Sequence, residues 1–466
     1  MFDEDDDDFM ENHLNEDLER FEEFLKGGSM VYLDSDRLET LIDHFLINSQ
    51  YTKAKKCAEH ALDQFPYLSI FHLRKAQAIS AMGHLKEALN IISRIEKWES
   101  PTSELLLTKA SIFSQLKDSK NAIRYFREAL DLSEAEDKDE IFLDLAMEFE
   151  NAGDYRKAVD VLKEAIAFNP HNEGAIYEIA FCYDHLGEYE SAIKCYSDYI
   201  DENPYSFTAW YNLGNAYTKL ENYDKALWAY DYCVLINEDF GPVYFNMGNA
   251  YLSQEKYLLA IESFHKCIEL DGDDPMALCY LGEAHEQLNE LELARHFYKR
   301  SLELAPMLPD AWLGLGIIED LEGRTKEGLV LLHKAAELDP ENAGIYHVIA
   351  GAYEKIDDLE QAAEFYQLSL ALDPKDDECL TNFIELLCET DLVDAKEFIE
   401  SFIEANPGML IAQVLKVNVL WLFGRKEEAM ILFAKCCEQD KKIEQEIFDI
   451  NPSLKKVQEF LDLSEE

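Results

Sequence analysis

Residues 207–230 read FTAWYNLGNAYTKLENYDKALWAY, and this stretch recurs along the chain at a step of 34 residues. The residues that recur are either large and apolar or small: Trp210, Leu213, Gly214, Tyr217, Ala226 and Tyr230. One step later the same places hold Tyr244, Met247, Gly248, Tyr251, Ala260 and Phe264. A period this long and this constant in phase indicates a protein built from stacked repeats.

Numbered from a first residue such as Phe207, the repeat has a mechanical interpretation. Positions 4, 7 and 11 carry large apolar residues at helical spacing, which predicts one face of a first helix. Positions 8, 20 and 27 carry small residues (Tyr199 is an exception), so two antiparallel helices can approach closely while position 24 fills the gap between them. Proline at position 32 ends the second helix, because it lacks an N–H and clashes with the preceding turn. Each repeat is therefore predicted to be a helical hairpin that is stable only when stacked on its neighbours.

The segment AWYNLGNAY at residues 209–217 closely resembles the tetratricopeptide repeat family, whose members include glycosyltransferases and bacterial cytosolic proteins. The resemblance implies an all-α fold, an α-α superhelix in the form of a right-handed solenoid of about twelve 34-residue hairpins. The predicted units begin at Ser35, Ser69, Ser103, Asp139, Glu173, Phe207, Gly241, Pro275, Pro309, Ala343, Asp377 and Leu410. The step departs from 34 twice, with two extra residues in the segment 133–139 and one residue fewer in the unit from Asp377.

Three segments follow from this phase: an acidic tail and capping helix at residues 1–34, twelve repeats at 35–443, and one or two C-terminal capping helices at 444–466. In the first segment five apolar residues form one helical stripe: Met10, Leu14, Leu18, Phe21 and Leu25. Asp8 is the predicted N-cap, and Gly27 with Gly28 is expected to stop the helix. This helix either caps the first unit or docks as a peptide on another protein or on the chain's own groove.

Composition restricts the partners and the compartment. The net charge of −53 repels phosphate backbones and anionic lipids, so we expect neither nucleic acid nor membrane binding. The charge either keeps an open solenoid soluble or attracts basic partners. The chain begins with an acidic run rather than a secretory signal, and no run of 18 apolar residues occurs. The ten cysteines show no CxxC or other metal-binding spacing, so we expect reduced packing residues in a cytoplasmic protein.

The resemblance also implies a binding surface, since first helices line the concave face in this family and positions 2, 5, 6, 9, 12 and 13 point inward. The predicted peptide-binding groove contains Tyr177, Phe181, Tyr211, Asn212, Asn215, Phe245, Asn246, Asn249, Tyr280 and Glu283. Asparagine amides there can pair with the backbone of an extended peptide. From residue 139 to residue 374 the inward positions carry ten acids, against only Lys219 and Lys355. Such a surface suits a segment that bears Lys or Arg.

The predicted function is a non-enzymatic scaffold that binds a protein or an extended peptide in its concave groove. No GxSxG, HExxH or phosphate-binding glycine loop occurs, so the sequence predicts no catalytic residue, cofactor or metal. The family's carboxylate clamp for chaperone tails is not expected, because Tyr211, Met276 and Tyr280 stand where it has cations. A regulatory or targeting subunit of an enzyme complex and a self-assembling structural protein remain alternatives. The oligomeric state is not indicated.

Overall fold

The computed structural model describes residues 4–28 and 32–439, with side chains described for 14–28 and 32–437. This part of the chain contains twenty-five α-helices, one short 3-10 turn and no strand, so the all-α prediction is confirmed. The chain divides into two compact units, one ending at Glu238 and one beginning at Asp239.

The N-terminal unit consists of one leading helix and six helical hairpins. Its helices are α1 Glu4–Leu25, α2 Ser35–Ile47, α3 Tyr51–Gln64, α4 Ser69–Ala81, α5 Leu85–Ile95, α6 Ser103–Gln115, α7 Ser119–Leu132, α8 Lys138–Asn151, α9 Tyr155–Phe168, α10 Glu173–Leu186, α11 Tyr189–Glu202, α12 Phe207–Lys219 and α13 Tyr223–Ile236. Each even-numbered helix is the first helix of a hairpin, and the following odd-numbered helix is the second.

The C-terminal unit consists of six further hairpins within its described residues. Its helices are α14 Gly241–Ser253, α15 Tyr257–Asp271, α16 Pro275–Gln287, α17 Leu291–Leu304, α18 Pro309–Leu321, α19 Thr325–Leu338, α20 Ala343–Lys355, α21 Leu359–Leu372, α22 Asp377–Thr390, α23 Leu392–Ala405, α24 Leu410–Leu422 and α25 Lys426–Gln439. The predicted C-terminal caps at 444–466 lie outside the described residues.

The phase read from the sequence locates the helices closely. Eleven of the twelve first helices begin on the predicted residue, and α8 begins at Lys138 instead of Asp139. The two extra residues before α8 are taken up by a 3-10 turn at Ala135–Asp137. The missing residue is accommodated at Asp391, which is both the C-cap of α22 and the N-cap of α23.

The predicted close approach of the two helices is also confirmed. In four hairpins a Cβ added to the glycine at position 8 would lie 2.3–2.7 Å from the side chain at position 24: Gly214 against Tyr230, Gly248 against Phe264, Gly282 against Tyr298 and Gly316 against Leu332. Real Cβ contacts are essentially never this short. These rings and aliphatic groups therefore occupy the space that a larger residue at position 8 would need.

The Tyr298 ring packs between two glycines, Gly282 of its own hairpin and Gly314 of the next. A Cβ on Gly314 would lie 2.2 Å from Tyr298 Cζ, while Gly282 already closes the other side of the buried ring. We expect Gly314→Ala to destabilise the fold by about 1–3 kcal/mol through overpacking. The loss should shrink in a Tyr298→Leu background, because the colliding ring is gone.

A matched control for this substitution lies in α20. The nearest atom to a Cβ on Gly351 is 4.0 Å away, so Gly351→Ala meets no obstacle. It should instead stabilise its helix by up to about 1 kcal/mol, the difference in helix propensity between Gly and Ala. Thermal unfolding followed by circular dichroism tests both variants, and equal melting temperatures for them would contradict the close-packing argument.

The turn inside each hairpin carries a feature that the sequence pattern did not reveal. At position 15 of eleven hairpins the backbone is left-handed, with φ between 56° and 85°. The residues are Ser49, Gly83, Lys117, Gly153, Gly187, Glu221, Glu255, Asn289, Gly323, Asp357 and Gly424. Only five of them are glycine, although glycine adopts this conformation most readily. The shortened turn between α22 and α23 has no such residue.

Helix α1 lies against the first hairpin. Phe21 is 0% exposed and belongs to one apolar cluster with Leu38 of α2 and Cys57 of α3. The carboxylate of Asp17, itself 3% exposed, accepts hydrogen bonds from Arg37 Nε at 2.8 Å and Nη2 at 2.6 Å.

The two ends of α1 differ in how well they were predicted. It ends as predicted, because Gly27 has a φ of 97° and Gly28 N donates to Glu23 O at 3.0 Å. The N-cap prediction for Asp8 is wrong, since the helix already includes Glu4. The side chain of Met10, the first residue of the predicted stripe, lies outside the described ones.

Most of the cysteines lie in the core. Seven of the ten are buried, including the three at position 27: Cys233, Cys267 and Cys436.

No helix in the described ranges combines the length and the hydrophobicity needed to cross a membrane.

Candidate functional site

First helices form one face of each unit. In the N-terminal unit α10 contacts both α8 and α12, and in the C-terminal unit α16 contacts both α14 and α18. Among the described residues no consecutive pair of second helices in either unit makes comparable contact. The first helices are therefore closer together than the second helices, and each unit has its first helices on the inner side of its curve. We call this surface the first-helix face.

The first-helix face of the N-terminal unit presents an aromatic pair on α10. Tyr177 is 67% exposed, and Phe181, one turn later, is 46% exposed. The Phe181 ring centroid lies 4.3 Å from that of His185, whose ring stacks on Tyr155 at 4.5 Å. Two of the predicted groove residues thus form an accessible aromatic surface.

The three predicted residues on α12 have different environments. Tyr211 and Asn215 are half-buried, and Asn215 Oδ1 accepts a hydrogen bond from the Tyr230 hydroxyl at 2.8 Å. Asn212 is only 5% exposed, and its Nδ2 donates to Ile176 O at 3.3 Å, on the first helix of the preceding hairpin. Because the Asn212 amide joins two hairpins, we correct its predicted role and leave it out of the candidate binding surface.

In the C-terminal unit the predicted residues on α14 and α16 surround a further aromatic cluster. The Tyr280 ring lies 5.8 Å from Phe245 and stacks at 5.8 Å on the buried Phe264. Asn246 and Asn249 are half-buried on α14, and Glu283 is exposed on α16. Aromatic, amide and carboxylate groups therefore lie on neighbouring first helices.

The two lysines at inward positions are each paired with an acid of the same face. Lys219 Nζ lies 3.7 Å from Asp184 Oδ1, and Lys355 Nζ lies 2.5 Å from Asp320 Oδ2. Each lysine is therefore paired with an acid of the same chain, although both lysine side chains are about half exposed. Neither lysine is therefore available to the other acids at inward positions.

Three of those acids come together in the C-terminal unit. Although Glu283 has an exposed surface, the protein groups around it remove part of its hydration, and this desolvation raises its pKa, as it does for Asp310. The charge of Asp310 raises the pKa of Glu283 further. Burial raises the pKa of Glu286 to about 7, and the charge of Glu283 adds to the effect, although a hydrogen bond from Tyr298 opposes it. We call Glu283, Glu286 and Asp310 the acidic triad. Its negative charge is costly because no lysine or arginine among the described residues forms an ion pair with it.

A similar group occurs in the N-terminal unit. Burial raises the pKa of Asp144, Glu150 and Glu178, each of which is at an inward position on α8 or α10. Glu150 Oε1 also accepts a hydrogen bond from the Cys182 thiol at 3.2 Å. Partly desolvated carboxylates are thus a feature of both units.

Tyrosines at position 24 hold some of the glutamates in place, which the sequence reasoning missed. Tyr298 donates to Glu286 Oε2 and Tyr366 donates to Glu354 Oε2, both at 2.9 Å. The tyrosine is on the second helix and the glutamate is at position 12 of the first helix. The repeated combination of Glu at 12 with Tyr at 24 is the sequence signal that could have predicted this bond.

Neutralising Glu286 should stabilise the protein in a pH-dependent way. Its pKa is about 7 in the folded chain and near 4.5 otherwise, so the folded state binds the proton more tightly. The charged form therefore lowers stability, by an amount that grows as the pH rises from about 4.5 to 7. We expect Glu286→Gln to raise the free energy of unfolding by about 1–2 kcal/mol at pH 8, with a much smaller gain at pH 5.

Chemical denaturation at the two pH values measures this difference. Glu262→Gln, an exposed acid on α15, controls for the loss of one negative charge. A gain from Glu286→Gln that is the same at both pH values would contradict the assignment, because an uncharged packing effect does not titrate.

Comparisons with known proteins agree with the repeat architecture. Three family models described as "Tetratricopeptide repeat" match residues 151–204 and 321–381, residues 207–240 and 242–274, and residues 103–136 and 277–306. Together they cover more than half of the chain. An 86-residue segment is 28% identical to anaphase-promoting complex subunit 3 of Schizosaccharomyces pombe (strain 972 / ATCC 24843). That segment spans 18% of this chain and 13% of the yeast protein.

Solved structures of similar proteins include the APC/C hetero-tetramer Cut9-Hcn1, at 14% identity and a TM-score of 0.45, covering 89% of this chain and 94% of that chain. A tetratricopeptide repeat protein from Parabacteroides merdae ATCC 43184 has 16% identity and a TM-score of 0.45 over 53% of this chain and 98% of its own. YrrB, "a TPR protein with an unusual peptide-binding site", has 23% identity and a TM-score of 0.31 over 40% and 95%. Because the tetratricopeptide repeat models together match more than half of the chain, the chain belongs to the tetratricopeptide repeat family.

Proposed function

We propose that this protein is a non-catalytic scaffold whose first-helix face binds an extended, lysine- or arginine-bearing segment of a partner protein. The observation that carries the proposal is the acidic triad, in which three carboxylates lie on one face without a cation to neutralise them. A basic side chain placed there would offset the desolvation that is the main cause of the raised pKa values of Glu283 and Glu286, and it would reduce the repulsion that adds to them. Part of the binding free energy would then come from compensating the desolvated, mutually repelling carboxylates, which are unfavourable in the free protein.

The aromatic residues support the same ligand. Tyr280 belongs to the same helix as Glu283 and Glu286, one turn before Glu283. A Lys or Arg side chain that reaches the carboxylates can lie along this ring, and cation–π contact adds about 0.5–2 kcal/mol per favourable pair. In the N-terminal unit Tyr177 and Phe181 flank Glu178 in the same way along α10.

Half-buried amides supply the sequence-independent part of recognition. Asn246 and Asn249 lie on α14, next to α16, which carries Glu283 and Glu286. An asparagine amide has two donors and one acceptor, and that of Asn249 can pair with the backbone of an extended peptide. The proposed ligand is therefore recognised by its backbone and by basic side chains spaced along it, and its other side chains can vary.

Affinity capture tests the proposal directly. The full chain and a neutral variant, Glu283→Gln with Glu286→Gln and Asp310→Asn, are used as baits in native cytosol, and bound proteins are identified by mass spectrometry. We expect partners with basic extended segments on the wild-type bait, released by salt and depleted at least about tenfold on the variant. Equal recovery on the two baits would place binding elsewhere.

A second candidate, a subunit of a larger assembly, is favoured by the short match to a subunit of the anaphase-promoting complex. A subunit should remain in a large complex when the native cytosol is fractionated by size. A self-assembling protein should instead form oligomers after purification, which light scattering measures. An adaptor that binds peptides should be monodisperse when pure and should enter complexes only with its partner.

A further inference from the structure

A histidine, an aspartate and a cysteine meet between two consecutive hairpins of the C-terminal unit. His347 is on α20, Asp376 is the N-cap of α22, and Cys379 lies in the first turn of α22. Their ligand-type atoms all lie within 4.8 Å of one another. His347 Nδ1 is 3.2 Å from Asp376 Oδ2, so the imidazole nitrogen and the carboxylate oxygen are in direct contact.

Neighbouring groups hold two of these side chains in orientation. Asp376 Oδ1 accepts a hydrogen bond from Cys379 N at 2.9 Å, which leaves Oδ2 directed towards His347. Asn382 Nδ2 lies 3.1 Å from His347 Nε2, on the far side of the ring. A half-turn of this amide would bring its carbonyl oxygen to Nε2–H, and that arrangement would fix the tautomer that leaves Nδ1 free to bind a metal. Metal-binding histidines commonly have such a partner on their other nitrogen.

The surroundings provide both burial and access. Cys379 is fully buried, whereas the His347 and Asp376 side chains are about a fifth exposed. His347 and Asn382 belong to inward positions 5 and 6 of their units, so the open side of the cluster is on the first-helix face. An ion bound there would have three protein ligands and one position that water or a ligand group could fill.

We propose that His347 Nδ1, Asp376 Oδ2 and Cys379 Sγ bind a single zinc ion that links α20 to α22. A nitrogen, an oxygen and a thiolate sulfur form a ligand set that zinc accepts in tetrahedral geometry, whereas magnesium and calcium prefer oxygen alone. Zinc would bring the three atoms to bond lengths of about 2.0–2.3 Å. The ion would replace the thiol proton of Cys379, which would pass to solvent, while the neutral imidazole would keep its proton on Nε2.

Sequence spacing alone could not indicate this site. His347 and Cys379 are 32 residues apart, and they meet only because consecutive hairpins stack. The site is independent of the acidic triad, which lies on α16 and α18. Failure of the peptide-binding proposal therefore leaves the zinc proposal untouched, and the reverse also holds.

Cobalt substitution provides the test, because a thiolate bound to Co²⁺ produces a charge-transfer band in the near ultraviolet. The full chain, stripped with a chelator and titrated with Co²⁺, should develop this band with one equivalent of metal, and Zn²⁺ should abolish it. Cys379→Ser should lose the band. Cys388→Ser, a cysteine on the same helix outside the cluster, should retain it.

Two further variants distinguish a residue that binds the metal from a residue that only orients it. His347→Ala should weaken Co²⁺ binding at least about tenfold, and Asn382→Ala should weaken it by about 10–100-fold if the amide orients the imidazole. Circular dichroism confirms that each variant is folded. No thiolate band in the wild type, or a band that survives in Cys379→Ser, would overturn the proposal.

Discussion

Replacing Phe21 with alanine should release α1 from the first hairpin. Phe21 is fully buried and its ring lies 5.8 Å from Phe45, so truncation leaves a cavity beneath α1. Comparable Phe→Ala substitutions cost about 3–5 kcal/mol. Because the described side chains of α1 pack on the first hairpin, we expect local detachment, with loss of amide-hydrogen protection in residues 14–25. The hairpins that follow α5 should keep their amide-hydrogen protection.

The control for this experiment is Tyr32→Ala, which removes an aromatic ring that is 80% exposed in the neighbouring connection. It should leave exchange in α1 unchanged. If α1 remains protected in Phe21→Ala, the bidentate Asp17–Arg37 pair carries more of the docking energy than the ring does. Asp17→Ala would then become the decisive variant, since it removes the buried partner of Arg37.

Reversing the acidic triad to lysine should slow the association of a basic ligand by roughly 10–100-fold. The probe is a fluorescent peptide of alternating lysine and serine, and stopped-flow measurement gives the association rate. For wild type the rate should fall as salt rises from about 0.01 M to about 1 M, since the screening length shrinks from about 30 Å to about 3 Å. Asp320 is left unchanged in this variant because Lys355 already pairs with it.

Three exposed acids on second helices provide the matched control: Glu262 on α15 with Glu292 and Glu303 on α17. Their reversal changes the net charge by the same amount but leaves the first-helix face intact. Equal rates for the two triple variants would mean that the acidity serves solubility only. A rate that is flat or rises with salt would instead favour apolar contacts through Tyr211, Phe245 and Tyr280.

The repeat period made the helices predictable, whereas individual side-chain contacts depended on the structure. Small residues at position 8 and large residues at position 24 act within one hairpin, so their roles follow from the sequence of that hairpin alone. Asn212 could not be assigned in this way, because its amide bonds to Ile176 O in the preceding hairpin. The same applies to Lys219, whose partner Asp184 is 35 residues away. Whether an inward residue is free for a ligand is decided by its neighbours across the stack.

The two departures from the 34-residue step show how the chain tolerates changes of length. The extra residues before α8 form a 3-10 turn, and the missing residue shortens the connection at Asp391, so both changes fall between helices. Inside a helix, one added residue would rotate everything after it by about 100° and turn its apolar face to water. Each hairpin, in contrast, resumes its own register from contact with its neighbour. A change of length in a connection is thereby absorbed locally, and the hairpins on either side keep their own helical register.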